Sequence, residues 1–267
     1  MLKDITLGQF FPGNTLVHRL DPRTKLILVF VYIIALFLCK WFVSYGLVMA
    51  FLVTAILLSK IRLKALLKGL KPLLIIIIFT AVINLFYSEG EPLVEFWIFK
   101  ITKEGISNAF FLILRIMMLV MGTFMLTYTT SPIALTDGIE SLLSPLKIIR
   151  FPVHELAMMM SIALRFIPTL IEETDKIISA QKARGADFET GNIFRRAKAL
   201  IPILVPLFVS AFRRADELAT AMECRCYHGG EGRTKMKQLH FRFSDGMTLV
   251  VGALLLGGVI ALRYFGL

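Results

Sequence analysis

Leu26-Ile-Leu-Val-Phe-Val-Tyr-Ile-Ile-Ala-Leu-Phe-Leu-Cys39 runs continuously apolar and without a charge, directly after Asp21-Pro22-Arg-Thr-Lys25. Aspartate can cap the free amides of a helix start, and proline suits the first turn. The pattern therefore predicts a helix that opens at Asp21-Pro22 and enters a membrane. Lys40-Trp41 reads as an interfacial anchor at its far side. The wider composition agrees: mean hydropathy is +0.74, 57% of the chain is apolar and only 18% is charged. A soluble domain of this length would carry more charge and fewer unbroken apolar runs.

Four further spans are expected outward from this one: Trp41 to Leu58, Pro72 to Tyr87, Ala109 to Tyr128 and Met247 to Tyr264. Lys60, Arg62, Lys64, Lys68 and Lys71 follow the second span with no acid among them, which marks the cytoplasmic side. The loop from Ser88 to Glu104 holds Glu89, Glu91, Glu95 and Glu104 against Lys100 and Lys103, as an outside loop would. The expected topology has a cytoplasmic N-terminus and an external C-terminus. The first 25 residues mix charge, Pro and Gly around no apolar core, so no cleavable signal peptide is expected. The net charge of +11 follows the orientation rule for membrane proteins, since basic residues sit beside apolar spans; no nucleic-acid partner is expected. Within the spans, Arg115 is expected to snorkel toward the outer end and Asn84 to hydrogen-bond another helix.

Between Thr129 and Asp245 the character changes, and apolar residues recur at helical spacing among charges. Three helices are predicted: a short amphipathic one over Ile133 to Ile148, a second over His154 to Arg184 and a third over Ile193 to Arg225. Leu156 to Leu170 is apolar, whereas Glu172 to Arg184 is charged; Leu200 to Phe212 and Arg213 to Arg225 repeat the profile. Each long helix is expected to start against lipid or other helices and to finish in water, with Pro168, Pro202 and Pro206 bending them. The expected fold is an all-α integral membrane protein of about five transmembrane helices plus a coupling region of one short and two long helices. Its divisions are residues 1–130 as an N-terminal transmembrane region of four spans, 131–245 as cytoplasmic coupling helices partly embedded in the membrane, and 246–267 as a C-terminal transmembrane helix.

No constellation for catalysis emerges. Only His18, His154, His228 and His240 are present, His154-Glu155 has Met158 where the zinc-protease pattern needs its second histidine, and no glycine-rich loop runs into Lys-Ser or Lys-Thr. Cys224 and Cys226 with His228 lack the second ligand pair of a zinc site, so small residues at a helix end are the favoured account. No catalytic, cofactor-binding or metal residue is expected, and the chain is read as non-enzymatic. Two helix ends carry the chemistry instead. Ala183-Arg184-Gly185, within Gln181-Lys-Ala-Arg-Gly-Ala186, pairs a terminating glycine with an arginine in the last turn, where the helix dipole favours a cation. Met222-Glu-Cys-Arg-Cys-Tyr227 repeats it around Arg225, with Ala221 and Glu223 leading in. One such cap would be ordinary; two, on helices of matched profile, offer a rigid fork of donors twice over to the carboxylates or carbonyls of a partner.

On these residues the chain resembles the transmembrane T component of energy-coupling factor (ECF) vitamin transporters. The first signature matches fully, the second keeps Ala221, Met222, Glu223 and Arg225, and Cys224 and Cys226 stand where the family has Ala and Gly. His18-Arg-Leu-Asp-Pro-Arg-Thr-Lys25 and Ala163-Leu-Arg-Phe-Ile-Pro168 match as well. The departure at Cys226 bears on how that helix ends, because cysteine is strained in the left-handed region and glycine is not. The resemblance implies a bacterial plasma-membrane scaffold. It would bind two cytoplasmic ABC-type ATPase subunits through Ala183, Arg184, Gly185, Ala221, Glu223 and Arg225. It would also bind a separate, exchangeable membrane subunit that captures the vitamin. ATP and magnesium would be held by the partners, and ATP-driven closure would pass through the helices. The adaptable Met158, Met159 and Met160 are the expected contact for the substrate-binding subunit. Two alternatives stand beside this: the permease subunit of a conventional ABC importer, which docks an ATPase through one coupling loop per chain, and a self-contained secondary carrier, which should show intramembrane charge or repeated broken spans.

Overall fold

A computed structural model describes residues 10–87, 92–96, 99–188, 192–230 and 238–266. Glu89 and Glu91 of the expected outside loop lie outside that set. The order of elements is α1 (Leu16–Arg19), α2 (Pro22–Leu38), α3 (Phe42–Ser59), α4 (Leu63–Tyr87), β1 (Pro92–Phe96), β2 (Phe99–Thr102), α5 (Lys103–Thr129), α6 (Pro132–Leu143), a 3-10 helix (Ser144–Ile149), α7 (Val153–Ala183), α8 (Ile193–Glu223) and α9 (Phe243–Phe265). The all-α membrane architecture holds. An antiparallel β1–β2 hairpin, pairing Phe96 with Phe99, and the short α1 are additions to it.

Among the described residues, five helices are long and apolar enough to cross a bilayer: Phe42–Ser59, Leu63–Leu85, Lys103–Thr129, Val153–Ala183 and Phe243–Phe265. The expected first span is not among them, and α7 is. With 17 residues, α2 is about 25 Å long, short of the ~30 Å of a hydrocarbon core. Helix α4 starts at Leu63 rather than at Pro72, which lies inside it. The basic residues lengthen the helix instead of preceding it, because lysine is a good helix former and its charge can stand in water.

The described residues form two compact units: those of 10–138 with 239–266, and those of 139–238. In the first, the core gathers Tyr32, Leu36, Val48, Leu52, Met118, Tyr128 and Val259 from α2, α3, α5 and α9. The expected start of α2 is met. The Asp21 carboxylate accepts from the Arg23 N–H at 2.9 Å, with Pro22 at the first position. Asp21 is itself tied from across the chain, its N–H donating to Asp245 Oδ1 at 2.8 Å, while Asp245 Oδ2 accepts from the Arg242 N–H at 2.8 Å. One carboxylate, 1% exposed, thus caps the starts of both α2 and α9. Seven residues beyond each of the two bonded aspartates, a Cβ on Gly252 would overlap Leu28. The two helices therefore run parallel and in close contact from the same level.

Lys25 closes the same end, its Nζ donating to the Thr129 carbonyl at 2.9 Å, and to Thr130 Oγ1 and the His18 carbonyl at 3.3 Å each. Two side chains within the spans find partners. Arg115 reaches toward the outer end of α2, beside Lys40-Trp41: its Nε donates to the Tyr45 hydroxyl at 2.9 Å and its Nη2 to the Cys39 carbonyl at 3.1 Å. There it satisfies an otherwise orphaned carbonyl at the end of α2. The Asn84 amide donates to the Thr80 carbonyl of its own helix at 3.3 Å rather than to another helix.

Candidate coupling site

The second unit carries the two arginine tips. Helix α7 ends at Ala183 with Arg184 as its cap, and Gly185 then turns left-handed at φ 85°. The Gly185 N–H donates to the Lys182 carbonyl at 3.0 Å and the Ala186 N–H to the Gln181 carbonyl at 3.0 Å. Helix α8 ends at Glu223, and Cys226 turns left-handed at φ 56°. The Cys226 N–H donates to the Glu223 carbonyl at 2.8 Å and the Tyr227 N–H to the Met222 carbonyl at 3.1 Å. Aligned on the arginines, the two sets of bonds are the same, and each is the double-bonded left-handed stop that glycine usually makes. Cysteine at 226 adopts the conformation that its side chain disfavours, so the replacement leaves the shape of the tip unaltered.

Arg184 and Arg225 are exposed, as are Ala183, Gly185, Ala221, Glu223, Cys224 and Cys226. Neither arginine side chain has a hydrogen bond or ion pair among the described residues, which leaves both forks open to a partner. His228 Nδ1 lies 2.8 Å from the Cys226 carbonyl, and the described residues contain no group of three or more His, Cys, Asp or Glu that could hold a metal ion.

Contacts between α7 and α8 fix how the tips are held. Gln181 Nε2 donates to the Pro202 carbonyl at 3.4 Å. Glu173 accepts a short hydrogen bond from the Ser210 hydroxyl and an ion pair from Arg214 Nη2 at 2.8 Å. Ile162, Phe166 and Leu170 face Ala211, Ala215, Leu218 and Met222 across a cavity of about 300 Å³. Pairing 181 with 202, 173 with 210 and 166 with 218 means that the helices are antiparallel. Arg225 thus lies level with about residue 158 of α7, so the two tips stand at opposite ends of the pair, roughly 40 Å apart at 1.5 Å of rise per residue. The sequence does not display this register, since nothing local announces that Glu173, Ser210 and Arg214 meet.

The apolar stretches are only partly covered by this pairing. Met158 is half-buried and Met159 and Met160 are exposed. On α8, Ile201, Val205, Phe208, Val209 and Phe212 are each more than half exposed.

The family model described as cobalt transport protein matches residues 13–236. Among curated relatives, the energy-coupling factor transporter transmembrane protein EcfT of Ruminiclostridium cellulolyticum is 53% identical over 264 residues, covering 99% of each chain. The protein of the same name from Bacillus subtilis is 48% identical over 251 residues, 94% of this chain and 95% of that one. The chain belongs to the EcfT family. As an EcfT-family protein it is a multi-pass transmembrane component of an energy-coupling factor transporter, and the matched region takes in both arginine tips.

Proposed function

We propose that this EcfT-family chain is the coupling scaffold of its transporter, holding one ABC-type ATPase subunit at Arg184 and a second at Arg225. In this reading it links them to a substrate-binding membrane subunit and carries ATP-driven motion to it. The observation that carries the proposal is the pair of identical left-handed stops, each presenting an unpartnered arginine. Ala183, Gly185, Ala221 and Glu223 frame the two forks. The chain itself does no catalysis in this reading; ATP and magnesium belong to the ATPases, and the captured molecule to the membrane subunit. Met158, Met159 and Met160, with the uncovered face of α8, offer that subunit a soft apolar surface, one that suits exchange among several such partners.

The antiparallel register adds a constraint. A pair crossing the bilayer would send Arg184 and Arg225 to opposite faces. Two arginines that serve one compartment require the pair to lie along the membrane, not across it. Helix α7 is therefore proposed as an in-plane helix despite its length and apolarity, and Glu172, Glu173, Asp175 and Lys176 avoid the cost of the hydrocarbon core. The spans are then α2, α3, α4, α5 and α9, with α2 carried in beside the parallel α9. The N-terminus and residues 131–245 face the cytoplasm, and the C-terminus lies outside.

The test is co-purification of the ATPases, with substrate uptake, for Arg184→Ala, Arg225→Ala and the double variant. A buried arginine whose partner is orphaned on truncation costs about 2–5 kcal/mol. Two grips on one scaffold mask a single loss through avidity. Each single variant is expected to impair uptake while retaining much of the complex, and the double variant to release the ATPases yet stay folded. Lysine should rescue poorly, because it keeps the charge and loses the planar fork. Normal assembly and transport by the double variant would reduce both residues to helix caps.

A further inference from the structure

The turn joining α3 to α4 walls a cavity that the coupling reading does not use. Lys60 ends α3 in the left-handed region at φ 55°, its N–H on the Leu57 carbonyl at 3.3 Å. The Ile61 N–H donates to Ser59 Oγ at 3.3 Å, and the Ala65 N–H to the Arg62 carbonyl at 2.8 Å. Facing this turn is the segment before α2. Its Phe11 N–H bonds the Tyr128 carbonyl at 3.0 Å, and the His18 ring lies between Thr15 Oγ1 at 2.6 Å and the Phe11 carbonyl at 3.0 Å. Phe11, Thr15, His18, Lys60, Arg62 and Ala65 line about 400 Å³ of space between them. That is room for about a dozen waters, more than a bare phosphate needs and enough for one carrying a glycerol.

The hydrogen-bonding groups of the wall are satisfied among themselves, whereas its cations are not. Lys60 and Arg62 are exposed and have no ion pair or hydrogen bond from their side chains among the described residues. Partial burial holds the His18 imidazole below its ordinary value, against the Phe11 carbonyl that favours its proton. The fixed charge at the cavity therefore comes from Lys60 and Arg62. Just before the turn, Leu57 and Leu58 at the end of α3 are each more than half exposed. Because α3 has the length and apolarity of a membrane span, the turn that ends it lies at a membrane face, with these two leucines toward acyl chains. The chemistry on offer is a chamber of about 400 Å³ with two unneutralised cations on its wall and exposed leucines at the adjoining helix end.

We propose that this cavity holds the phosphate headgroup of an anionic phospholipid, with Lys60 and Arg62 on the phosphate and the acyl chains along Leu57 and Leu58. The orientation rule alone predicts otherwise: all five cations from Lys60 to Lys71 would then be interchangeable. The experiment separates the two. Full-length protein in dodecyl maltoside is titrated with dioleoyl phosphatidylglycerol, dioleoyl phosphatidylcholine or sodium phosphate, and bound molecules per chain are counted by native mass spectrometry. Lys60→Asn with Arg62→Gln, asparagine being tolerant of the left-handed turn, should weaken phosphatidylglycerol retention by about 30-fold, the attraction of two cations. Lys68→Gln with Lys71→Gln removes the same charge away from the cavity and should weaken it by less than about 3-fold. Ala65→Phe, which fills the cavity and changes no charge, should also abolish selective retention; it decides the matter if the first pair fails to fold. Equal losses in the two charge pairs, or unchanged retention in Ala65→Phe, would overturn the site. Sodium phosphate bound as tightly as phosphatidylglycerol would assign it to the free anion and overturn the lipid.

Discussion

Cysteine at 226 holds a glycine's conformation, and exchanging the two residues should shift the stability of the two tips in opposite directions. A side chain in the left-handed region costs about 1–2 kcal/mol, and glycine gives back about 0.5–1 kcal/mol through its freer unfolded chain. Cys226→Gly should therefore steady the α8 tip by a net ~0.5–1 kcal/mol, a 2- to 5-fold drop in local opening. Gly185→Cys should loosen the α7 tip by the same amount and no more, because a Cβ built on Gly185 meets nothing within 4 Å. Hydrogen exchange reads the effect directly. The reporting amides are Tyr227, bonded to the Met222 carbonyl, and Ala186, bonded to the Gln181 carbonyl. In Cys226→Gly the Tyr227 amide should exchange 2- to 5-fold more slowly; in Gly185→Cys the Ala186 amide should exchange correspondingly faster. Unchanged or faster exchange at Tyr227 in Cys226→Gly would refute the reasoning, since it would mean that the exposed thiol contributes something glycine cannot replace.

Asp245→Ala should leave the buried Asp21 N–H and the part-buried Arg242 N–H without acceptors, at about 1–3 kcal/mol for the first and less for the second, which water can reach; a thermal-unfolding midpoint in detergent no lower than wild type would contradict this. Gly122→Ala drives a Cβ into the Tyr32 ring, whose hydroxyl is pinned on the Met118 carbonyl at 2.8 Å, so overpacking should cost about 1–3 kcal/mol. Gly46→Ala on α3, with open space around it, should instead be neutral or stabilising by up to ~1 kcal/mol, and the same melting assay compares the two. In a background lacking Cys39, Cys224 and Cys226, Lys64→Cys and Lys182→Cys should resist an impermeant thiol reagent in intact cells while Glu104→Cys reacts; the reverse pattern would overturn the proposed orientation.

What the sequence disclosed was local. Asp21-Pro22 announced the start of α2 because a capping carboxylate and a first-turn proline act within three residues. The arginine tips were legible for the same reason, a stop motif being written in consecutive residues. Helix boundaries inside the membrane were less so: hydropathy placed the start of α4 at Pro72, but Lys64, Lys68 and Lys71 extend it toward water. Hidden altogether were contacts between distant positions. Arg115 on Cys39, Asp245 on Asp21, and Glu173 with Ser210 and Arg214 each join residues tens to hundreds apart, and no periodicity reports a partner at that range. The antiparallel register of α7 and α8 belongs with these. It bears most on function, for it is what separates the two tips.

The bond from Asp21 to Asp245 reaches across 224 residues. At 5–20 residues per second, the ribosome needs roughly 10–45 s to make the second group after the first. In the proposed topology α2 then sits in the bilayer with its capping acceptor and the slot beside Gly252 both missing, held only by its apolar side chains and by earlier-made neighbours. The half-made protein is a looser object than the finished one, open at the very helix that was inserted first. Arrival of α9 shuts it like a clasp. Any factor that shields α2 during those seconds has its work ended by the chain itself.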